Sequence, residues 1–109
     1  MPAPASDPLS VCLAALADPT RRAILALLAR KRLHVEELAA HLPISRPAVS
    51  KHLRILKHAG LLDEDHEGRR AYYRVDARPV AELERWLGTQ RRVWDTSLAK
   101  LKRLVERDD

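Results

Sequence analysis

The chain has 109 residues, a length that predicts a single domain. Its formal net charge is +5, which favours a polyanionic partner because lysine and arginine release condensed counterions when they meet phosphate groups. It has no phenylalanine and only three glycines, so we expect an aliphatic core and no glycine-rich phosphate loop. No nucleophile stands beside a recognisable base, and an enzyme is not expected.

Residues 1–6 are rich in proline and alanine and are expected to form a disordered tail before a domain that spans residues 7–106. The N-terminus lacks the basic and then apolar pattern of a signal peptide. No apolar run approaches the roughly 18 residues that span a membrane. Since Cys12 is the single cysteine, no internal disulfide can form. We therefore expect a cytoplasmic protein with no membrane partner.

Three helices are predicted in the first part of the chain. Asp7 and Asp18 each precede a proline, and an N-cap carboxylate followed by proline is typical of a helix start. A third, short helix is indicated by apolar residues at helical spacing over residues 35–42, and Pro43 ends it.

A fourth helix has two chemically different sides. Ser45 is suited to cap its N-terminus, and Gly60 is suited to end it. Residues 46–58 include four lysine or arginine residues and no acidic residue, while the apolar residues point the other way. Such a helix can anchor in a core and offer donors to a DNA major groove. A solvated amphipathic helix is the alternative, although surface helices usually mix both signs of charge.

The periodicity changes after Gly60. Two short extended runs flank Glu67-Gly68-Arg69 and predict a β-hairpin with Arg69 and Arg70 at or beside its tip. A basic tip can lie along the DNA backbone or enter the minor groove, and an ordinary exposed turn is the alternative. From about Arg78 a long helix returns with heptad-like apolar spacing, which is typical of helices that pair.

Three segments resemble one family, the ArsR-type regulators. Their opening signature is similar to ALADPTRRAIL at residues 15–25, their recognition segment to PISRPAVSKHLRIL at residues 43–56, and the start of their wing to AGLL at residues 59–62. The resemblance runs from about Asp7 to Val105. It implies a mainly α, winged helix-turn-helix repressor in the order α-α-α-α-β-β-α, with the first and last helices forming a dimer interface.

The predicted partners are double-stranded DNA and a second copy of the chain. A homodimer is expected to repress transcription by occupying a pseudopalindromic operator. The resemblance and the position of each side chain on the fourth helix and hairpin give the candidate contacts. The candidate DNA-binding residues are Ser45, Arg46, Pro47, Ser50, Lys51, His52, Arg54, Lys57, Arg69 and Arg70. The candidate dimer-interface residues are Leu9, Leu13, Trp94, Leu98, Leu101 and Val105.

The same resemblance raises metal sensing. Founding members place Cys-x-Cys before the recognition helix, where this chain reads VEELAAH, and others use histidine on the last helix, which here has none. We therefore expect no metal and no cofactor, and the metal-independent, sporulation-delay autorepressor-like branch is favoured. The remaining candidate metal ligands are His34, Glu37 and His41, although structural zinc normally takes four ligands.

Four single residues each allow more than one role. Cys12 lies in an apolar stripe, as small buried hydrophobes do, but its oxidation would make a redox-responsive repressor of the same fold. Trp86 and Trp94 either line a pocket for an unidentified small-molecule effector or pack at the dimer interface. His52 packs, forms a hydrogen bond or touches a phosphate. For the whole chain, a helical interaction module with vestigial DNA binding is the competing hypothesis.

Overall fold

The computed structural model describes residues 7–107, and the predicted tail over residues 1–6 lies outside them. The helices and strands follow the predicted winged order, with one added strand. They are α1 (Pro8–Leu16), α2 (Pro19–Leu28), β1 (Leu33–His34), α3 (Val35–His41), α4 (Arg46–His58), β2 (Leu62–Glu67), β3 (Arg70–Val75) and α5 (Arg78–Arg107). None of these helices is long and apolar enough to cross a membrane.

The three predicted N-caps are confirmed. Asp7 caps α1, and Asp18 caps α2 by accepting hydrogen bonds from the backbone N–H groups of Thr20 and Arg21 at 2.7 and 3.1 Å. These bonds, above all that from Arg21, hold the pKa of Asp18 below its ordinary value. The Ser45 hydroxyl accepts from the third residue of α4 at 3.3 Å. Each cap satisfies donors that the first helical turn leaves free.

The sheet has three antiparallel strands in the order β1-β3-β2, where a two-stranded hairpin was expected. The extra strand, Leu33–His34, pairs with Tyr72 and Tyr73. Two residues are too few to show a period-two pattern, so the sequence carried no signal for it. The expected hairpin turn is present, and Gly68 occupies it with a φ of +63°, a conformation that glycine adopts at low cost.

Arg32 ties the β2–β3 hairpin to the helical body. Its guanidinium donates to Asp65 at 3.1 Å and to Glu67 at 2.7 Å, and its central carbon lies 4.4 Å from the centre of the Tyr72 ring. The His34 ring also packs against the Tyr72 ring in an edge-on arrangement, with ring centres 5.3 Å apart. The hairpin is therefore fixed from one side by ion pairs and aromatic packing.

The core is aliphatic, as the absence of phenylalanine led us to expect. Helix α4 supplies Val49, Leu53 and Leu56, each at most 2% exposed, and packs against α2, α3 and β2. The largest fully buried side chains are Ile24, Leu38, Val49, Leu53, Leu56 and Leu61. Because this apolar side is buried, the opposite side of α4 must face solvent.

Helix α5 differs from the others because most of its length is not covered. It spans 30 residues, and Leu83 near its start is its buried residue. Helix α1 packs against it, and the chain reaches 70 Å along its longest axis. Beyond Leu83 the apolar side chains lie in solvent: Trp86, Leu87, Val93, Trp94, Leu98, Leu101, Leu104 and Val105.

Candidate nucleic-acid interface

The middle of the outer side of α4 offers free donors. Lys51 and Arg54 are exposed and Ser50 is half-buried. Within residues 7–107, no carboxylate lies within 4.0 Å of the Lys51 or Arg54 side-chain nitrogens. Their positive charges are therefore available to an external anion.

Arg46 and Lys57, at the two ends of α4, are placed differently. Arg46 Nη1 lies 3.3 Å from Glu36 Oε1 of α3, and Lys57 Nζ donates to Glu64 of β2. The two cations stand eleven residues apart, about three helical turns, so they share the side of α4 that faces these neighbours. Helix α4 itself contains no acidic residue, but the neighbouring α3 and β2 place carboxylates beside two of its four lysine and arginine side chains.

Glu64 stays ionised in this arrangement. The hydrogen bond from Lys57, helped by one from the Tyr73 hydroxyl at 3.1 Å, holds the pKa of Glu64 below its ordinary value. Burial and the nearby carboxylate in turn raise the pKa of Tyr73. Lys57 thus joins α4 to the base of the hairpin, a structural role that sequence spacing alone did not indicate.

The hairpin tip brings two further cations toward α4. Arg69 and Arg70 are exposed, and Arg70 Nη1 lies 3.4 Å from His34 Nε2. Arg46, Arg69 and Arg70 line a cleft of about 200 Å³ between the hairpin and the N-terminal ends of α3 and α4. The acidic residues on the hairpin do not cancel this charge fully, because Arg32 pairs with two of them.

The remaining predicted contacts on α4 have mixed environments. The Ser45 hydroxyl accepts a backbone hydrogen bond as the N-cap, and Pro47 is exposed in the first turn. His52 is half-buried, and its Nδ1 lies 3.5 Å from Arg21 Nη1. The sequence did not single out Arg21, since a contact across thirty-one positions leaves no local pattern.

The histidines considered as metal ligands are engaged within the fold. His34 Nδ1 accepts from the Glu37 N–H at 3.4 Å, and Glu37 Oε1 accepts from the His34 N–H at 3.2 Å, which makes a capping box at the start of α3. His41 Nδ1 lies 2.8 Å from the Glu37 carbonyl oxygen. In the part of the chain that the structure describes, no three His, Cys, Asp or Glu side chains cluster as metal ligands.

Cys12 and the two tryptophans lie near α5. Burial, followed by the negative charge of Glu82, raises the pKa of the Cys12 thiol, which disfavours the reactive thiolate. Trp86 and Cys12 both line an apolar cleft of about 820 Å³ between α1, the C-terminal end of α4 and α5. Trp94 lies outside this cleft, further along α5.

Comparison with known proteins decides the family. A family model described as "Bacterial regulatory protein, arsR family" matches residues 18–64. The HTH-type transcriptional regulator Rv2034 of Mycobacterium tuberculosis is 45% identical over 92 residues, which cover 84% of this chain and 83% of that protein. The chain belongs to the ArsR family of bacterial transcriptional regulators.

Further relatives agree with this assignment. The transcriptional repressor SdpR of Bacillus subtilis is 36% identical over 73 residues, covering 67% of this chain and 81% of the repressor. An ArsR-like transcriptional regulator from Rhodococcus sp. RHA1 has a similar structure, with a TM-score of 0.84, 36% identity and 91% of each chain covered. The ArsR-family protein is accordingly a DNA-binding transcriptional regulator with a winged helix-turn-helix fold, and not an enzyme.

The ion pair between Glu36 and Arg46 is expected to weaken DNA binding, because Glu36 competes with phosphates for Arg46. Both side chains are more than half exposed, so the pair itself contributes little to stability. Replacing Glu36 with glutamine (E36Q) frees Arg46 and removes a negative charge beside the cleft. We expect binding to any duplex to tighten, by about twofold to tenfold at low salt, with a steeper salt dependence. Titration of labelled duplex at two salt concentrations measures this.

The matched control is E84Q, which removes an exposed carboxylate from α5 and is expected to change affinity little. An E36Q protein that binds DNA no more tightly than E84Q would show that Glu36 does not compete with the phosphates.

Proposed function

We propose that the ArsR-family protein represses transcription in the bacterial cytoplasm by binding a pseudopalindromic operator as a homodimer. Residues 7–106 then act as one DNA-binding and dimerisation domain. The proposal depends most on one observation: the outer side of α4 presents Lys51 and Arg54 without carboxylate partners among the described residues. A 13-residue helix of this kind fits the major groove, which is about 12 Å wide.

Different parts of the interface are proposed to have different roles. Ser50, Lys51 and Arg54, in the middle of α4, contact base edges and the adjacent phosphates. Arg69 and Arg70 contact the DNA backbone next to the groove. There their positive charges attract the phosphates and offset the repulsion from the acidic residues of the hairpin. Arg46 joins them once a phosphate displaces Glu36. Backbone contacts supply much of the affinity, and base contacts select the site.

The proposed dimer explains why α5 carries an exposed apolar stripe. Trp94, Leu98, Leu101 and Val105 are 56–65% exposed and fall on one side at spacings of four, three and four residues. On α1, Leu13 is 42% exposed. Since each square ångström of buried apolar area contributes about 25 cal/mol, pairing of these stripes between two chains favours association. The two α4 helices of a twofold dimer can then enter successive major grooves.

We also propose that DNA release in this protein does not depend on a metal ion. Both ring nitrogens of His34 lie near polar atoms of the fold, Nδ1 at the capping box and Nε2 at 3.2 Å from Glu37. A metal bound at Nδ1 would have to break this helix start, and one bound at Nε2 would displace its contact with Glu37. A redox trigger is likewise disfavoured by the raised pKa of the buried Cys12 thiol. The cleft of about 820 Å³ beside Trp86 is the proposed site for an unidentified small-molecule effector.

The dimer is tested by sedimentation at micromolar concentration. The wild-type chain is expected to sediment at twice 12.4 kDa, and the double variant L98E/L101E as a monomer, because four charges would meet in an apolar interface. Circular dichroism is expected to be preserved, since both side chains are exposed in the single chain. The control is R103E, on the opposite side of α5, which should remain a dimer. A wild-type monomer would contradict the proposal.

The role of α4 is tested with K51A/R54A. We expect each lost contact to weaken binding to a selected operator about tenfold or more, as for one good base or phosphate contact. The fold should persist because both side chains point away from the core. The charge-matched control is K100A/R103A on α5, for which we expect nearly wild-type affinity. Equal affinities for the two double variants would eliminate α4 as the recognition element.

A further inference from the structure

Arg21 lies where α1, α2 and α4 meet, and its side chain is only 15% exposed. Its Nε donates to the Ala15 carbonyl at 2.7 Å and its Nη2 to the Ala14 carbonyl at 3.0 Å. The Ala14 carbonyl also accepts from the Ala17 N–H at 3.3 Å, whereas the Ala15 carbonyl belongs to the last turn of α1, whose carbonyl groups lack partners within the helix. Its Nη1 lies 3.9 Å from Asp18 Oδ2 and 3.5 Å from His52 Nδ1. One guanidinium thus contacts the ends of two helices and a side chain of α4.

The Arg21 contact favours one tautomer of the neutral His52 ring. A guanidinium has donors and no acceptor, so a hydrogen bond over the 3.5 Å between Arg21 Nη1 and His52 Nδ1 requires Nδ1 to accept, which leaves the ring hydrogen on Nε2. Within residues 7–107, Nε2 has no hydrogen-bond partner, and no side-chain nitrogen or oxygen is both buried and unpartnered. The Nε2–H group therefore reaches solvent, and it points away from Arg21 because the two nitrogens lie on different edges of the ring.

The position of His52 on α4 indicates what this donor meets. Lys51 and Arg54 occupy the middle of the outer side, whereas His52 is half-buried on the flank that faces α2. When a helix lies in the major groove, its middle faces the bases and its flanks face the walls of the groove. Those walls are the sugar-phosphate backbones.

We propose that the His52 Nε2–H donates to a backbone phosphate oxygen and that Arg21 is the positioning residue that holds the ring in this form. The inference rests on the proposed function, since it assumes that α4 lies in the major groove. The inference also gives Arg21 a second role: besides binding the C-terminal end of α1, it orients a DNA-contacting side chain on α4. Arg22 provides the comparison, because it donates to the Leu16 carbonyl at 2.7 Å, while the hydrogen bond to His52 among the described residues comes from Arg21.

Three substitutions of His52 separate the two nitrogens. Glutamine (H52Q) places an amide N–H near the position of Nε2, asparagine (H52N) places polar atoms only near Nδ1, and alanine (H52A) removes both. We expect H52Q to bind DNA within about threefold of the wild-type protein, and H52N and H52A to bind at least about tenfold more weakly. Because a phosphate is the target, the loss should be equal for the operator and for random duplex.

The positioning role is tested with R21K and its control R22K. A lysine ammonium cannot serve the α1 carbonyls and His52 in the same fork, so we expect R21K to weaken DNA binding about as much as H52N. In an H52A background, R21K should cause no further loss. Nitrogen-15 NMR of the imidazole should show the Nε2–H tautomer in wild type and R22K, and a mixture in R21K. If R21K weakens binding equally without His52, Arg21 acts only through stability and the positioning role is wrong.

The outcomes distinguish this inference from the proposed function. If H52N and H52A bind like wild type while K51A/R54A loses binding, the phosphate contact is wrong and the function of α4 stands. If H52Q is as weak as H52A, the donor role is wrong and the ring acts through its packing. If K51A/R54A also binds normally, the proposed function itself fails. The His52 series requires no change at Arg21, so it remains decisive even if R21K does not fold.

Discussion

Burial of one side of α4 is the constraint on which the rest of the structure depends. Val49, Leu53 and Leu56 are at most 2% exposed, and together they fix the rotation of α4 about its own axis. A rotation that exposed them would lose about 1.5–3 kcal/mol for each side chain returned to water. The outer side therefore has one orientation, with Lys51 and Arg54 outward, before any DNA is bound.

Ion pairs around this fixed helix determine which of its positive side chains can bind an external anion. Glu36 and Glu64 engage the cations at the two ends of α4, and Arg32 engages the carboxylates of the hairpin. The exposed pairs contribute little to stability, but they decide which cations remain available to phosphate. An anion that enters near Arg46 must compete with Glu36, whereas one that approaches the middle of α4 meets no such competitor among the described residues.

Local patterns in the sequence predicted most of the fold and the middle of the site. The Asp-Pro starts, the Ser45 cap and Gly60 each act within a few residues, so the sequence alone revealed them. The pairing of Arg46 with Glu36, of Lys57 with Glu64 and of Arg21 with His52 was not predictable, because each pair joins residues that only tertiary packing brings together. Strand β1 was missed for the related reason that two residues have no periodicity.

We propose that two α4 helices, held by a twofold dimer, lie in successive major grooves. The most direct test of this proposal measures affinity for duplexes that carry two selected half-sites at spacings varied by single base pairs, at one stated salt concentration. We expect maximal affinity when half-site centres are about one helical turn apart, about 10–10.5 base pairs or 34–36 Å, and a sharp loss when half a turn is inserted. Equal affinity at every spacing, or for a single half-site, would contradict it.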